Sequence, residues 1–195
     1  MGRPTRLFSL VLACGSSLTV ALAQSQEALP KPGPEVQKLA VMAGRFTNEG
    51  EVKAGAFGPN SSAMKVSGID ECRWTAGGFG LSCTETVVIG GTKETETDVV
   101  FYDPTSKKYE CHGIRNTGET NNQTGTVSGD TWTWLGGGTV NGKVFHARYI
   151  MKLTSKDSYE YTEEWGEGEK PMELGMSGKC TRVAATKSVT SKPAQ

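Results

Sequence analysis

Residues 64–89 read MKVSGIDECRWTAGGFGLSCTETVVI. Folding this stretch about Gly77-Gly78 sets Trp74 opposite Leu81, Cys72 opposite Cys83 and Val66 opposite Ile89. Side chains alternate between the faces of a strand, so a slip of one residue would exchange the buried and the wet face. In this register all six residues share one face. The other face takes Glu71, Arg73, Ser82 and Thr84, with Ile69 and Val88 as exceptions. The stretch is expected to be a β-hairpin with one apolar side.

The same test works further along. With a three-residue turn at Ser155, Lys156 and Asp157, residues 144–165 pair Leu153 with Tyr159 and Met151 with Tyr161 on one face. Lys152 with Glu160 and Arg148 with Glu164 fall on the other. A barrel of the outer-membrane kind would turn apolar residues to lipid and polar ones to the lumen. Charged outer pairs point instead to a water-soluble barrel with an apolar interior.

Between and around these hairpins, turn chemistry recurs at Asp103-Pro104, Ser128-Gly129, Asn141-Gly142 and residues 166–170. Upstream, Pro34 sits at a position that favours helix initiation. Val36, Leu39, Ala40 and Ala43 follow at helical spacing until Gly44 ends the pattern. The expected fold is all-β: about ten strands in an antiparallel up-and-down barrel over residues 34–183, with one short N-terminal helix.

The ends read differently. Residues 1–23 carry Arg3 and Arg6, then an apolar run, then Ala21-Leu22-Ala23, the pattern of a signal peptide cut before Gln24. The triplet Leu12-Ala13-Cys14 offers the rival of a lipoprotein anchored through Cys14. Residues 24–33 form a polar, Pro-containing leader, and residues 184–195 lack the apolar content to fold. No segment after residue 23 reaches the roughly 20 apolar residues of a membrane helix. Without residues 1–23 the chain keeps 19 basic and 21 acidic side chains, a net −2, which argues against nucleic acid as a partner. Four cysteines remain, Cys72, Cys83, Cys111 and Cys180, and a secreted or periplasmic location makes disulfides natural for them.

The order of features resembles the lipocalin-like, or calycin, proteins. It runs from a helix through Leu39-Ala-Val-Met-Ala-Gly44-Arg45-Phe46 and a long meander to Lys179-Cys-Thr-Arg182. More closely, Tyr102-Asp103-Pro104, Gly129-Asp130-Thr131-Trp132 and Asp157-Ser158-Tyr159-Glu160-Tyr161 resemble a secreted bacterial family catalogued only as a domain of unknown function. The resemblance implies the barrel and brings no activity with it. Phe46 stands where lipocalins proper carry the tryptophan of a Gly-x-Trp signature.

Several residues are candidates for chemistry. Asp70 faces Glu85 on the inward side, where two carboxylates repel and one pKa rises. The pair would serve as general acid and base, hold a cation, or sit solvated at a barrel mouth or bulge. Glu163 falls opposite Tyr149 on the apolar side, and Arg182 shares the parity of Met172, Leu174, Met176 and Cys180 as an inward countercharge, a structural tie more often than a ligand contact. His146 lies on the polar face with Arg148, and His112 has Asp98 as a cross-strand partner; both read as surface residues. Some ten-stranded barrels of this shape carry haem on a histidine, but nothing beyond the shape supports a cofactor here.

The run from Gly137 to Lys143 imitates a phosphate loop. Val144 stands where the magnesium-ligating hydroxyl belongs, so a hairpin turn is expected. Glu163, Glu164, Glu167 and Glu169 lack calcium-loop spacing, and no His/Cys cluster has zinc spacing. Directly opposed, Cys72 and Cys83 are expected to form a disulfide. Cys111 and Cys180 share interior parities on strands that are not neighbours, which leaves their pairing open.

Three readings of function follow. In the first, the protein binds a small apolar or amphipathic molecule in contact with Trp74, Leu81, Trp132, Trp134, Met151, Tyr161 and Arg182. In the second, it is an isomerase or hydrolase using Asp70 and Glu85. In the third, its core is closed and it serves as a structural or interaction module of the cell envelope, a role favoured if Cys14 is lipidated.

Overall fold

The computed structural model describes residues 30–140 and 142–184, without the side chain of Ala76. The expected signal peptide, Cys14, most of the expected leader, Asn141 and the tail from residue 185 onward lie outside the described residues. A helical turn α1 (Pro34–Gln37) is followed by a 3-10 turn (Lys38–Val41). Ten strands then run as β1 (Gly44–Val52), β2 (Met64–Trp74), β3 (Gly80–Ile89), β4 (Thr92–Asp103), β5 (Lys108–Arg115), β6 (Thr120–Ser128), β7 (Thr131–Val140), β8 (Lys143–Ser155), β9 (Ser158–Glu167) and β10 (Glu173–Arg182). Each strand pairs antiparallel with its successor, and β10 returns to β1 to close the barrel.

The hairpin registers are those set by the alternation. Cys72 pairs with Cys83, Trp74 with Leu81 and Val66 with Ile89, and Met151 pairs with Tyr161 and Leu153 with Tyr159. The β8–β9 turn differs in detail. Ser155 pairs with Ser158, so the turn holds two residues and Thr154 forms a bulge. The Thr154 hydroxyl uses that bulge to bond Ser158, through its carbonyl at 3.1 Å and its hydroxyl at 2.7 Å.

The helical segment is shorter as an α-helix than its spacing predicts, because its role is to plug the barrel's base. Leu39 is 0% exposed there, and the Tyr109 hydroxyl donates to the Glu35 carbonyl at 3.0 Å and carboxylate at 2.9 Å. A tight turn delivers Leu39 to that position, and Gly44, at φ 124°, carries the chain into β1. Any side chain at Gly44 would overlap the Arg182 guanidinium.

Above the plug the base is filled by aromatic side chains. Trp132 and Trp134 stack with ring centroids 6.1 Å apart, and Tyr109 sits edge-on to Trp132 at 4.7 Å. Such pairs add about 0.5–1.5 kcal/mol each beyond the area they bury. At the opposite end Val52, Val66 and Val87 form a second apolar cluster. The β1–β2 connection reaches Trp165 there: the Trp165 indole donates to the Ala56 carbonyl at 3.3 Å, and Phe57 stacks on its ring at 5.8 Å. The polar interior lies between these two apolar ends.

Ion pairs decorate the outer surface, among them Lys65 with Glu51 at 3.2 Å, Lys143 with Glu167 at 3.1 Å, and Arg148 with Glu164. Among the described residues no helix is long and apolar enough to cross a membrane.

Candidate functional site

A cavity of about 220 Å3 occupies the middle of the barrel. It is lined from the base by Phe46, Trp134 and Met151 and from the far end by Val87 and Met176. Its waist is acidic. Asp70, Glu85, Glu94, Glu96, Asp98 and Glu163 all line it, and among the described lining residues Arg115 is the single cation. Strand parity places them there. Asp70 and Glu85 are direct partners across β2–β3, Glu85 faces Glu96 across β3–β4, and Glu96 faces Arg115 across β4–β5.

Two hydrogen-bonded groups divide this waist. In the first, the Asn48 amide donates to Glu85 Oε1 at 3.3 Å and accepts from the Tyr161 hydroxyl at 2.9 Å. The Cys180 thiol and the Tyr159 hydroxyl both donate to Asp70 Oδ2, at 3.3 and 3.5 Å. In the second, Arg115 donates to Glu96 Oε2 at 2.9 Å and to Glu94 at 3.3 Å, and the Cys111 thiol donates to Asp98 Oδ1 at 3.7 Å. Two buried oxygens, Asp70 Oδ1 and Glu96 Oε1, have no hydrogen-bond partner among the described residues. Leaving a buried acceptor unpaired costs about 1–3 kcal/mol.

Burial without countercharge sets the protonation of these acids. Desolvation raises the Asp70 carboxyl above its ordinary value, against the lowering effect of its hydrogen bonds to Cys180, Asn48 and Tyr159. Glu85 is pushed well above, first by desolvation and then by the charges of Asp70, Glu96 and Glu163. Asp98 is pushed up to about 7 by desolvation and by the neighbouring Glu96. Glu163 is raised by burial, which outweighs the pull of Arg115. Desolvation likewise raises the phenols of Tyr149, Tyr159 and Tyr161 and the thiols of Cys111 and Cys180, which therefore stay protonated at neutral pH. The interior is a reservoir of weak acids that a bound cation or a proton can neutralise.

Of the residues singled out in the sequence, Trp134, Met151, Tyr161, Asp70, Glu85 and Glu163 line the cavity. Leu81 and Trp132, 0% and 1% exposed, lie in the packed base. Trp74 keeps the expected register but is 38% exposed at the end of β2. Arg182 is at the base. Its Nη1 donates to the Ala43 carbonyl and Nη2 to the Val41 carbonyl at 3.2 Å, while its Nε lies 3.3 Å from Asp157. The guanidinium also covers the Phe46 ring at 4.4 Å. It ties the plug to both ends of the sheet. The parity that linked it to Leu174 is broken by a bulge between Leu174 and Met176, where Gly175 leaves room for the Trp165 ring.

Asp98 corrects one expectation. It is not the partner of His112 but faces inward opposite Gly113, and the His112 ring instead bonds Asn122 at 2.7 Å and stacks on Phe101. His146 pairs across to Gly137 and Gly166 on the polar side. Neither histidine lines the cavity, so the donor set of the interior does not fit a histidine-ligated haem. Among the described residues no cluster of three or more His, Cys, Asp or Glu is arranged to hold a metal ion. Glu164 and Glu167 of the acidic segment are engaged by Arg148, Lys143 and Lys170.

Cys72 and Cys83 form a disulfide, a bond suited to an oxidising, extracytoplasmic environment. Cys111 and Cys180 are free, each thiol committed to a different carboxylate. Asn48, Glu96 and Arg115 had no signal in the sequence that separated them from surface polar residues.

No family model matches this sequence, and no curated protein matches it. Similarity appears among solved structures. Rv2717c from M. tuberculosis superposes with a TM-score of 0.57 at 16% identity, over 79% of this chain and 100% of that one. The S-type phycobiliprotein lyase CPES from Guillardia theta superposes with a TM-score of 0.52 at 10% identity, over 77% of this chain and 93% of that one. At these identities the likeness is one of fold, and by fold this chain is a lipocalin-like β-barrel.

Proposed function

We propose that this is an exported, periplasmic or secreted, protein that binds a small amphipathic molecule inside its barrel. The observation that carries the reading is the cavity of about 220 Å3 with an aromatic base and a polar waist. Small barrels either fill with side chains or enclose one ligand. Here the base is filled and the middle is not. At roughly 30 Å3 per water the space equals about seven waters. A guest of on the order of ten non-hydrogen atoms would fill it at protein packing density. The unpartnered oxygens of Asp70 and Glu96 offer such a guest hydrogen-bond acceptors, and Trp134 offers a ring face.

Native mass spectrometry of the protein exported by a bacterial host tests this, with the denatured mass of the same sample as reference. A retained small mass supports the reading. Absence of any retained mass, together with unchanged tryptophan emission across a set of small aromatic probes, would sink it. The denatured mass also reports whether Cys14 is removed with a signal peptide or lipidated.

A second reading has one specific observation behind it. The Glu85 carboxyl is pushed well above its ordinary value and is the direct cross-strand partner of Asp70, the kind of carboxyl pair from which isomerases and hydrolases draw an acid and a base. It requires that Asp70→Asn abolish a turnover while the retained ligand still binds.

A further inference from the structure

The waist of the cavity is short of positive charge. Arg115 is paired with Glu94 and Glu96, and Asp70, Glu85, Asp98 and Glu163 face the same space with no direct ion pair among the described residues. Glu96, 6% exposed, lines the cavity, and its buried Oε1, beside the Asp98 carboxyl over Gly113, has no hydrogen-bond partner among the described residues. An unsatisfied acceptor on so buried a side chain is costly unless something in the cavity donates to it. Asp70 Oδ1 presents the same vacancy from β2. Phe46, Trp134, Tyr149 and Tyr159 supply ring faces along the wall.

We infer that the guest of this cavity is a small organic cation, a primary amine carried on a ring or short apolar body, with its ammonium group among the inward carboxylates and its body against the aromatic wall. The inference rests on the binding reading above and specifies the ligand's chemistry. An ammonium brings three donors and no acceptor, which suits a wall of acceptors. Its charge lets the surrounding carboxylates ionise, and it is attracted to aromatic faces as well. An anionic guest would further oppose the ionisation of these acids. A neutral alcohol brings one donor and leaves the acids to hold their protons.

The groups facing the site from every side are the acids of β2, β3, β4 and β9, Arg115 on β5, the inward tyrosines of β8 and β9 and the thiols of β5 and β10. The tyrosines and thiols remain neutral near pH 7. Protons displaced by amine binding at pH 7 therefore come from the carboxyls.

Phenethylamine, phenethyl alcohol and phenylacetate share a ring and a nearly equal size and differ in charge. Titration calorimetry of the exported, folded protein with each, at pH 7 in two buffers of different ionisation enthalpy, tests the inference. We expect the amine to bind at least tenfold more tightly than either analogue, with net proton release. In the double variant Asp70→Asn, Glu85→Gln, which removes repulsion, the amine's advantage over the alcohol should shrink to less than threefold.

If the alcohol or the carboxylate binds as well as the amine, the inference is overturned and the binding reading stands. If none of the three binds, the inference is overturned, and the retained mass in native mass spectrometry decides the binding reading separately. If the amine keeps its advantage in the double variant, the ammonium is not among the inward carboxyls and the inference is again overturned.

Discussion

Replacing Asp98 by asparagine should stabilise the protein above neutral pH and leave it unchanged in acid. Asp98 faces Gly113 inside the barrel, with Glu96 two residues away on the same face. Burial and that neighbour push it from 3.8 up to about 7. The folded value lies above the unfolded one, so between roughly pH 4 and 7 the folded chain holds a proton that the unfolded chain has lost. The associated stability is complete below about pH 4 and disappears as pH rises through 7. A shift of about three pH units at ~1.36 kcal/mol each corresponds to ~4 kcal/mol at pH 8. The Glu96–Asp98 interaction is shared between two acids, so removing one partner is expected to recover about 2–4 kcal/mol. Asparagine keeps an acceptor for the Cys111 thiol. Urea unfolding followed by tryptophan emission at pH 4 and pH 8 measures the difference directly. A gain of equal size at both pH values, or a loss at pH 8, would refute the argument that an uncompensated buried charge is at work.

Two other outcomes follow from the fold. Exchanging both Cys72 and Cys83 for serine opens a link of sequence separation 11. It should lower stability by about 3 kcal/mol, as loop entropy predicts for so short a closure, in urea titrations of oxidised protein and variant. Arg182→Met keeps the bulk over Phe46 but loses the bonds to Val41 and Ala43. A loss of about 1–3 kcal/mol is expected, with hydrogen exchange accelerated first in residues 34–43, whereas uniform acceleration through all strands would mean that Arg182 does not hold the plug.

How much of this was legible in the sequence depended on contrast between the two faces of each strand. In β2, β3, β8 and β9, large apolar residues alternate with charged ones, and the registers could be read to the residue. That is why Asp70 and Glu85 stood out as anomalies on an otherwise apolar side. In β4 the contrast vanishes. Residues 92–98 read TKETETD, polar on both faces, so nothing marked Glu96 and Asp98 as inward, and Arg115 on β5 was equally anonymous. The inward faces of the two strands could be assigned only through long-range pairing, with Val100 beside Cys111 and Glu96 beside Arg115.

Bulges were invisible for a different reason. Gly175 makes room for the Trp165 ring, a tertiary demand that leaves no periodic trace, and it broke the parity that had linked Arg182 to Leu174. The base of the barrel was half legible. Leu39 belonged to a visible apolar pattern, but its delivery through a tight 3-10 turn answered to the space beneath Trp132 and Phe46 rather than to helix propensity.

The seam between β1 and β10 joins distant parts of the chain, with the Thr47 hydroxyl bonding the Thr181 carbonyl across 134 residues. Until that seam forms, the acids of the waist stand in water and ionise like any surface carboxylate. Closing it strips them of solvent and forces them to take up protons. Closure of the barrel is thus coupled to proton uptake in the pH range between the ordinary and the raised values of these carboxyls. The pairing of β10 with β1 makes it so, and an acidic medium favours completion of the fold.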